Sequence, residues 1–139
     1  MLLPAQYEQS LLALAAWRAS MSDNADELLA VACVIRNHVI RYGKSYSNVC
    51  ENFIINRPWP DIRHPLLVNP HIGLLSQVEA IYRNELPDMT SNHLHKNGAL
   101  HFGRVVDHQG KGTDFEDRII KQYLAHPLIG TWGNQQFFE

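Results

Sequence analysis

Cysteine is scarce in this chain: two in 139 residues, Cys33 inside an apolar helical run and Cys50 beyond Gly43. No disulfide framework underlies the fold, and both are read as free thiols. A surplus of positive charge is missing as well. Lys and Arg number 12 against 14 Asp and Glu, a formal charge of -2, which excludes a strongly basic nucleic-acid binder. No stretch approaches about 18 unbroken apolar residues, so a transmembrane helix is not available. The opening MLLPAQYEQSLLALAAW is apolar, yet it lacks a basic leader and is interrupted by Tyr7, Glu8 and Gln9. A cytoplasmic start without a signal peptide is expected, and a target outside the cytoplasm must be reached by other means. Repeats and low-complexity tracts are absent too. What is present is ordinary for a globular protein, 45% apolar and 19% charged residues, so residues 1–139 are expected to form a single domain with its own core.

The chain is organised around Leu11 to Val39, two apolar helical segments that flank a polar corner from Arg18 to Asp26. Pro4 suits a first helical turn, and Leu11, Leu12, Leu14 and Ala15 share one face, which predicts a helix to about Ala19. Asn24 followed by Glu27 resembles a capping box and starts a second helix, to about Arg41. That helix is apolar nearly all round, which predicts burial through the middle of the domain, and Gly43 ends it. A short third helix is expected over Ser45 to Phe53. Pro58, Pro60 and Pro65 then impose an irregular loop that carries Trp59. Pro70 opens a fourth helix to about Asn84, followed by a loop from Pro87 to Asn97 and a strand from Ala99 to Val106. After a turn at Gln109 to Gly112, Thr113 and Glu116 cap a helix over Asp114 to Ala125. Leu128 to Trp132, Gly133-Asn134 and Gln135 to Phe138 read as a hairpin. The fold class is therefore α+β, mostly helical, with a small antiparallel sheet at the C-terminal end.

The stretch WRASMSDNADELLAVACVIRN, Trp17 to Asn37, resembles the opening of the SleB-type cell wall hydrolases, which include spore-cortex-lytic enzymes and some phage endolysins. Ala30, Val31, Ala32, Val34, Arg36 and Asn37 match the family's second helix. Later landmarks follow in order: Asn52-Phe53, Pro87-Asp88, Asn97-Gly98-Ala99 before His101-Phe102, and Ile129 to Phe138. The resemblance implies a lysozyme-like domain that cleaves the glycan strand of peptidoglycan, as a muramidase or a lytic transglycosylase. It implies no cofactor, a monomer, no stable membrane insertion, and action on the cell wall after release from the cytoplasm, as a phage endolysin is released. The family's glutamate, the expected general acid, falls on Ala19. A methyl group cannot protonate a glycosidic oxygen, so the chain as it stands is expected to be inactive. The surrounding helix shows no other decay, which favours a deliberate Glu-to-Ala exchange over natural loss. The alternative is a naturally non-catalytic peptidoglycan-binding or inhibitory protein.

Besides Ala19, the substrate-binding candidates are Asn52, Phe53, Trp59, Asp88, His101 and Phe102. Trp59 is either a sugar-stacking ring or a loop anchor, Asn52 and His101 are candidate partners for N-acetyl or hydroxyl groups, and the family also places an aspartate near Asp88. Trp17 and Trp132 are expected in the core. Of Asp23, Asp26 and Glu27, just after Ala19, two are read as helix-start acids, and Glu51 is read as a solvated one. His93-x-His95 raises zinc as a hypothesis, but no Asp or Cys completes a known spacing, and no metal is expected.

Overall fold

The computed structural model describes residues 4–20, 24–55, 72–103, 126–133 and 135–139. The expected helix over 114–125, the turn at 109–112, strand residues 104–106 and Trp59 lie outside them. Among the described residues four helices, α1 (Pro4–Ser20), α2 (Ala25–Tyr42), α3 (Tyr46–Ile55) and α4 (Ile72–Tyr82), precede three strands, β1 (His101–Gly103), β2 (Leu128–Trp132) and β3 (Gln135–Phe138). The α+β expectation, mostly helical with a small antiparallel sheet, holds at that level. No described helix is long and apolar enough to cross a membrane.

α2 is the axis of the fold. Every residue from Glu27 to Asn37 is buried, and the helix packs against α1, α3, α4 and β2. Its small side chains, Ala30 and Ala32, are fully buried, as are Ala15 and Ala16 of α1, which packs against it. Small residues let backbones approach closely, and Leu12, Leu28 and Ile35 fill the remaining space. Each such side chain contributes roughly 1.5–3 kcal/mol by leaving water. Trp17 is buried in this core as expected, and Trp132 packs on its edge.

The ends of α2 are fixed by local chemistry. Asn24, in extended conformation, accepts the Glu27 N–H on its side-chain oxygen at 2.9 Å, and Gly43 closes the helix at φ 63°. Asn24→Ala is expected to cost about 1 kcal/mol in urea unfolding, the usual loss for an N-cap. α4 ends differently: Asn84 takes φ 60°, its N–H bonds the Ile81 carbonyl, and the Glu85 N–H bonds that of Ala80. This is the Schellman arrangement with asparagine in the left-handed position. Buried Arg36 of α2 donates to the carbonyls of Ile81 and Leu86, tying the exit of α4 to the axis.

The sheet has strand order β1-β3-β2, both pairings antiparallel. Phe137 on the central strand is fully buried, with Phe102 stacked on it and Trp132 edge-on to it. The same strand sets two residues level with each other. His101 and Leu128 both register with Phe138, one on either side.

Both thiols are sealed. Burial pushes Cys33 up to about 11 and Cys50 up to about 12, so the nucleophilic thiolate is scarce at ordinary pH. Native protein at about pH 8 is expected to resist an aromatic disulfide reagent, and two thiols are expected to react once it is denatured.

Candidate functional site

Among the described residues two places carry polar chemistry, at opposite ends of α2. Glu27 and Arg41 mark them, roughly 20 Å apart along the helix axis at 1.5 Å per residue.

The first is the corner where α1 ends. Ala19 is 3% exposed, and the Gln135 side-chain amide of β3 donates to its carbonyl at 3.3 Å. Beside it the hairpin bend lies directly on Glu27: a Cβ added to Gly133, which sits at φ 62°, would stand 2.8 Å from the Glu27 Cβ and 3.0 Å from its Cδ. Glu27 is fully buried. The sequence reading of a helix-start acid captures its backbone, which Asn24 caps, but not its side chain. The signal was available in the pattern, since Glu27, Val31 and Val34 fall on one stripe of the helix. The corner that lacks a carboxyl at position 19 therefore holds one at position 27, under the hairpin.

The second place is a cavity of about 610 Å³ at the C-terminal half of α2. Asn37, Arg41 and Tyr42 form its helical wall, Gly98 and His101 a second, and His126 and Glu139 a third. Sheet register brings the imidazoles together. Because His101 and Leu128 flank Phe138, the residues just before β2 pass the end of β3, where the Glu139 N–H bonds the Pro127 carbonyl. The His101 and His126 rings end 4.4 Å apart. His38 stands behind them, its Nε2 donating to the Leu100 carbonyl at 2.6 Å. Burial, then His126, then His38 hold the His101 imidazole below its ordinary range, because each disfavours the charged ring.

The other sequence candidates divide. Asp88 is spent inside the fold: one oxygen accepts the Asn37 amide at 2.7 Å, and the other accepts both the N–H and the hydroxyl of Thr90. The Thr90 hydroxyl in turn accepts the Ala99 N–H, and Asn37 also donates to the Ala99 carbonyl. This lattice locks the 88–99 segment to α2, so Asp88 positions one cavity wall. Phe102 belongs to the core on Phe137. Asn52 is exposed on α3, as is Glu51, and the Phe53 side chain and Trp59 lie outside the described residues. His101 is the sequence candidate that reaches the cavity. Arg41, His126 and Glu139 were missed, for they come from three separate stretches with no shared motif.

His93 is exposed and His95 pairs with the Glu139 carboxylate, so the His-x-His segment does not converge on one point. Among the described residues no three His, Cys, Asp or Glu side chains gather as a metal site. No family model, no curated protein and no solved structure matches the chain.

Proposed function

We propose that this is a SleB-type, lysozyme-like domain that engages the glycan strand of peptidoglycan, and that it cleaves the strand when position 19 carries glutamate. The observation that carries the reading is the corner itself. α1 ends at a buried small residue, α2 starts after a short connection, and β3 reaches back to hold the Ala19 carbonyl through Gln135. An acid placed there would stand in water-poor surroundings, the environment that keeps a carboxyl protonated for general-acid work. A strand-like polymer suits this layout, because it is long enough to run from the corner toward the cavity near the other end of α2.

The domain is proposed to act as a monomer, without cofactor, on the wall after release, as an endolysin does. Either water or the muramoyl 6-hydroxyl completes the reaction, and 1,6-anhydro ends among the products, read by mass spectrometry, identify the second. A non-catalytic wall-binding or inhibitory protein is the second reading. It is favoured by one observation, that the Ala19 methyl sits comfortably in the core at 3% exposure. Two measurements test the proposal: co-sedimentation of the chain with purified insoluble peptidoglycan, and loss of turbidity of that material with Ala19→Glu. Sedimentation with turbidity loss supports the enzyme, sedimentation alone supports the binding protein, and the absence of both overturns both readings.

A further inference from the structure

We propose that the cavity at the C-terminal half of α2 is a binding site for a carboxylate, held by Arg41 and the His101–His126 pair. In the choice of ligand source this rests on the cell-wall reading, whereas the preference for a carboxylate rests on the cavity alone.

The charges around the cavity favour a monoanion. Ion pairs among the described residues join Arg83 to Glu79 and Glu85, and His95 to Glu139; Arg41 takes part in none of them. Its guanidinium offers a planar fork that matches a carboxylate. The one acid among the described lining residues, Glu139, pairs with His95 from outside. The two imidazoles, 4.4 Å apart, line the same space.

The rest of the lining suits the body of a polar ligand. Asn37 commits its amide hydrogens to Asp88 and Ala99, so toward the cavity it can offer only its carbonyl oxygen, an acceptor for a hydroxyl or amide. Tyr42 and Ile40 are 53% and 66% exposed and present apolar area at the rim. The volume lies within the range of roughly 300–1,000 Å³ in which proteins enclose small organic ligands.

Binding is coupled to a proton. Among the described residues, His126 and His38 disfavour the protonation of His101, Arg41 shares the cavity, and the Glu139 carboxylate is held by His95. A bound carboxylate favours the imidazolium, raising a pKa that burial and the neighbouring rings hold down. Complex formation then takes up a proton, so affinity falls as pH rises through the histidine range, by up to about tenfold per unit.

In cell wall, such a carboxylate comes either from a muramic acid unit stripped of its peptide or from the free end of a stem peptide. Titrations followed by histidine ring NMR, with N-acetylmuramic acid, N-acetylglucosamine and acetyl-D-alanyl-D-alanine as probes, separate these sources. The expected result is that one or both carboxylate probes shift the His101 and His126 signals more at about pH 5.5 than at about pH 7.5. N-acetylglucosamine should do neither. Arg41→Gln, at an exposed position, is expected to weaken the bound probe about tenfold or more, with Arg41→Lys intermediate. Silence from both carboxylate probes, or equal binding of N-acetylglucosamine, overturns the proposal. Co-sedimentation is read separately: a chain that pellets with peptidoglycan yet ignores the carboxylates loses this inference alone, and one that binds them but does not pellet loses the cell-wall reading alone.

Discussion

Gly98→Ala is expected to destabilise the domain by on the order of 3 kcal/mol, the largest loss from adding one methyl group anywhere among the described glycines. Two costs combine. Gly98 sits at φ 71°, where a side chain costs about 1–2 kcal/mol. Its added Cβ would stand 1.9 Å from the Asp88 Oδ2 and 2.8 Å from the Asn37 Nδ2, so the hydrogen bond between those two must break or move. A bond to a charged group contributes roughly 1.5–3 kcal/mol. Urea unfolding measures the total. Gly43→Ala is the comparison, because Gly43 has a similar φ of 63° with nothing within 4 Å of its Cβ direction, so it reports the backbone cost alone. Equal losses at the two glycines would show that the Asn37–Asp88 lattice contributes nothing. The Gly98 variant is also expected to change the His101 ring signals, since the same lattice braces that cavity wall.

Ala19→Glu carries the largest expected effect on activity. Absence of a general acid usually lowers the rate roughly 10² to 10⁴-fold, so turbidity loss should rise by a factor of that order. The gain comes with a structural cost. Ala19 is 3% exposed, and a carboxyl in such a place resists ionisation, since charge in a water-poor site costs several kcal/mol. Activity should therefore persist toward neutral pH and fall as the introduced acid loses its proton, while the melting temperature drops. Ala19→Gln separates chemistry from shape: it has nearly the same volume and no proton to give. Lysis by the glutamine form as fast as by the glutamate form would remove the acid mechanism. Glu27→Gln in the Ala19→Glu background asks whether the buried neighbour matters, and a displaced pH profile with the fold intact would mark it as a positioning residue.

The sequence made the scaffold legible where one local rule decided the outcome. The hairpin bounds, Leu128–Trp132 and Gln135–Phe138, follow from alternation around Gly133-Asn134, and α2 from its capped start and glycine stop. α4 ends before Asn84 because asparagine takes the left-handed position itself, a choice that local pattern leaves open. The site was less legible, for physical reasons. Asp88 in a polar loop looks like a cleft acid, and only tertiary folding brings Asn37, fifty-one residues away in sequence, onto it. His126 is unremarkable in its own stretch and meets His101 because β3 sits between β1 and β2, and Arg41 reaches the same cavity from α2. Glu27 was visible as an acid, but its burial depends on a bend at Gly133 that arrives more than a hundred residues later.

That late arrival bears on how the domain is made. The bond from Gln135 to Ala19 spans 116 residues, and the cover over Glu27 comes from the same hairpin. Helices α1 and α2 can pair as soon as both have left the ribosome, since their contacts are close in sequence. The corner cannot close until β3 has been synthesised and has found them, and contacts of such separation slow folding. During synthesis the candidate site is consequently the last part to mature, with apolar flanks of α2 open to solvent until then. A nascent chain arrested before residue 128 should bind a chaperone, and release of the completed hairpin should end that binding.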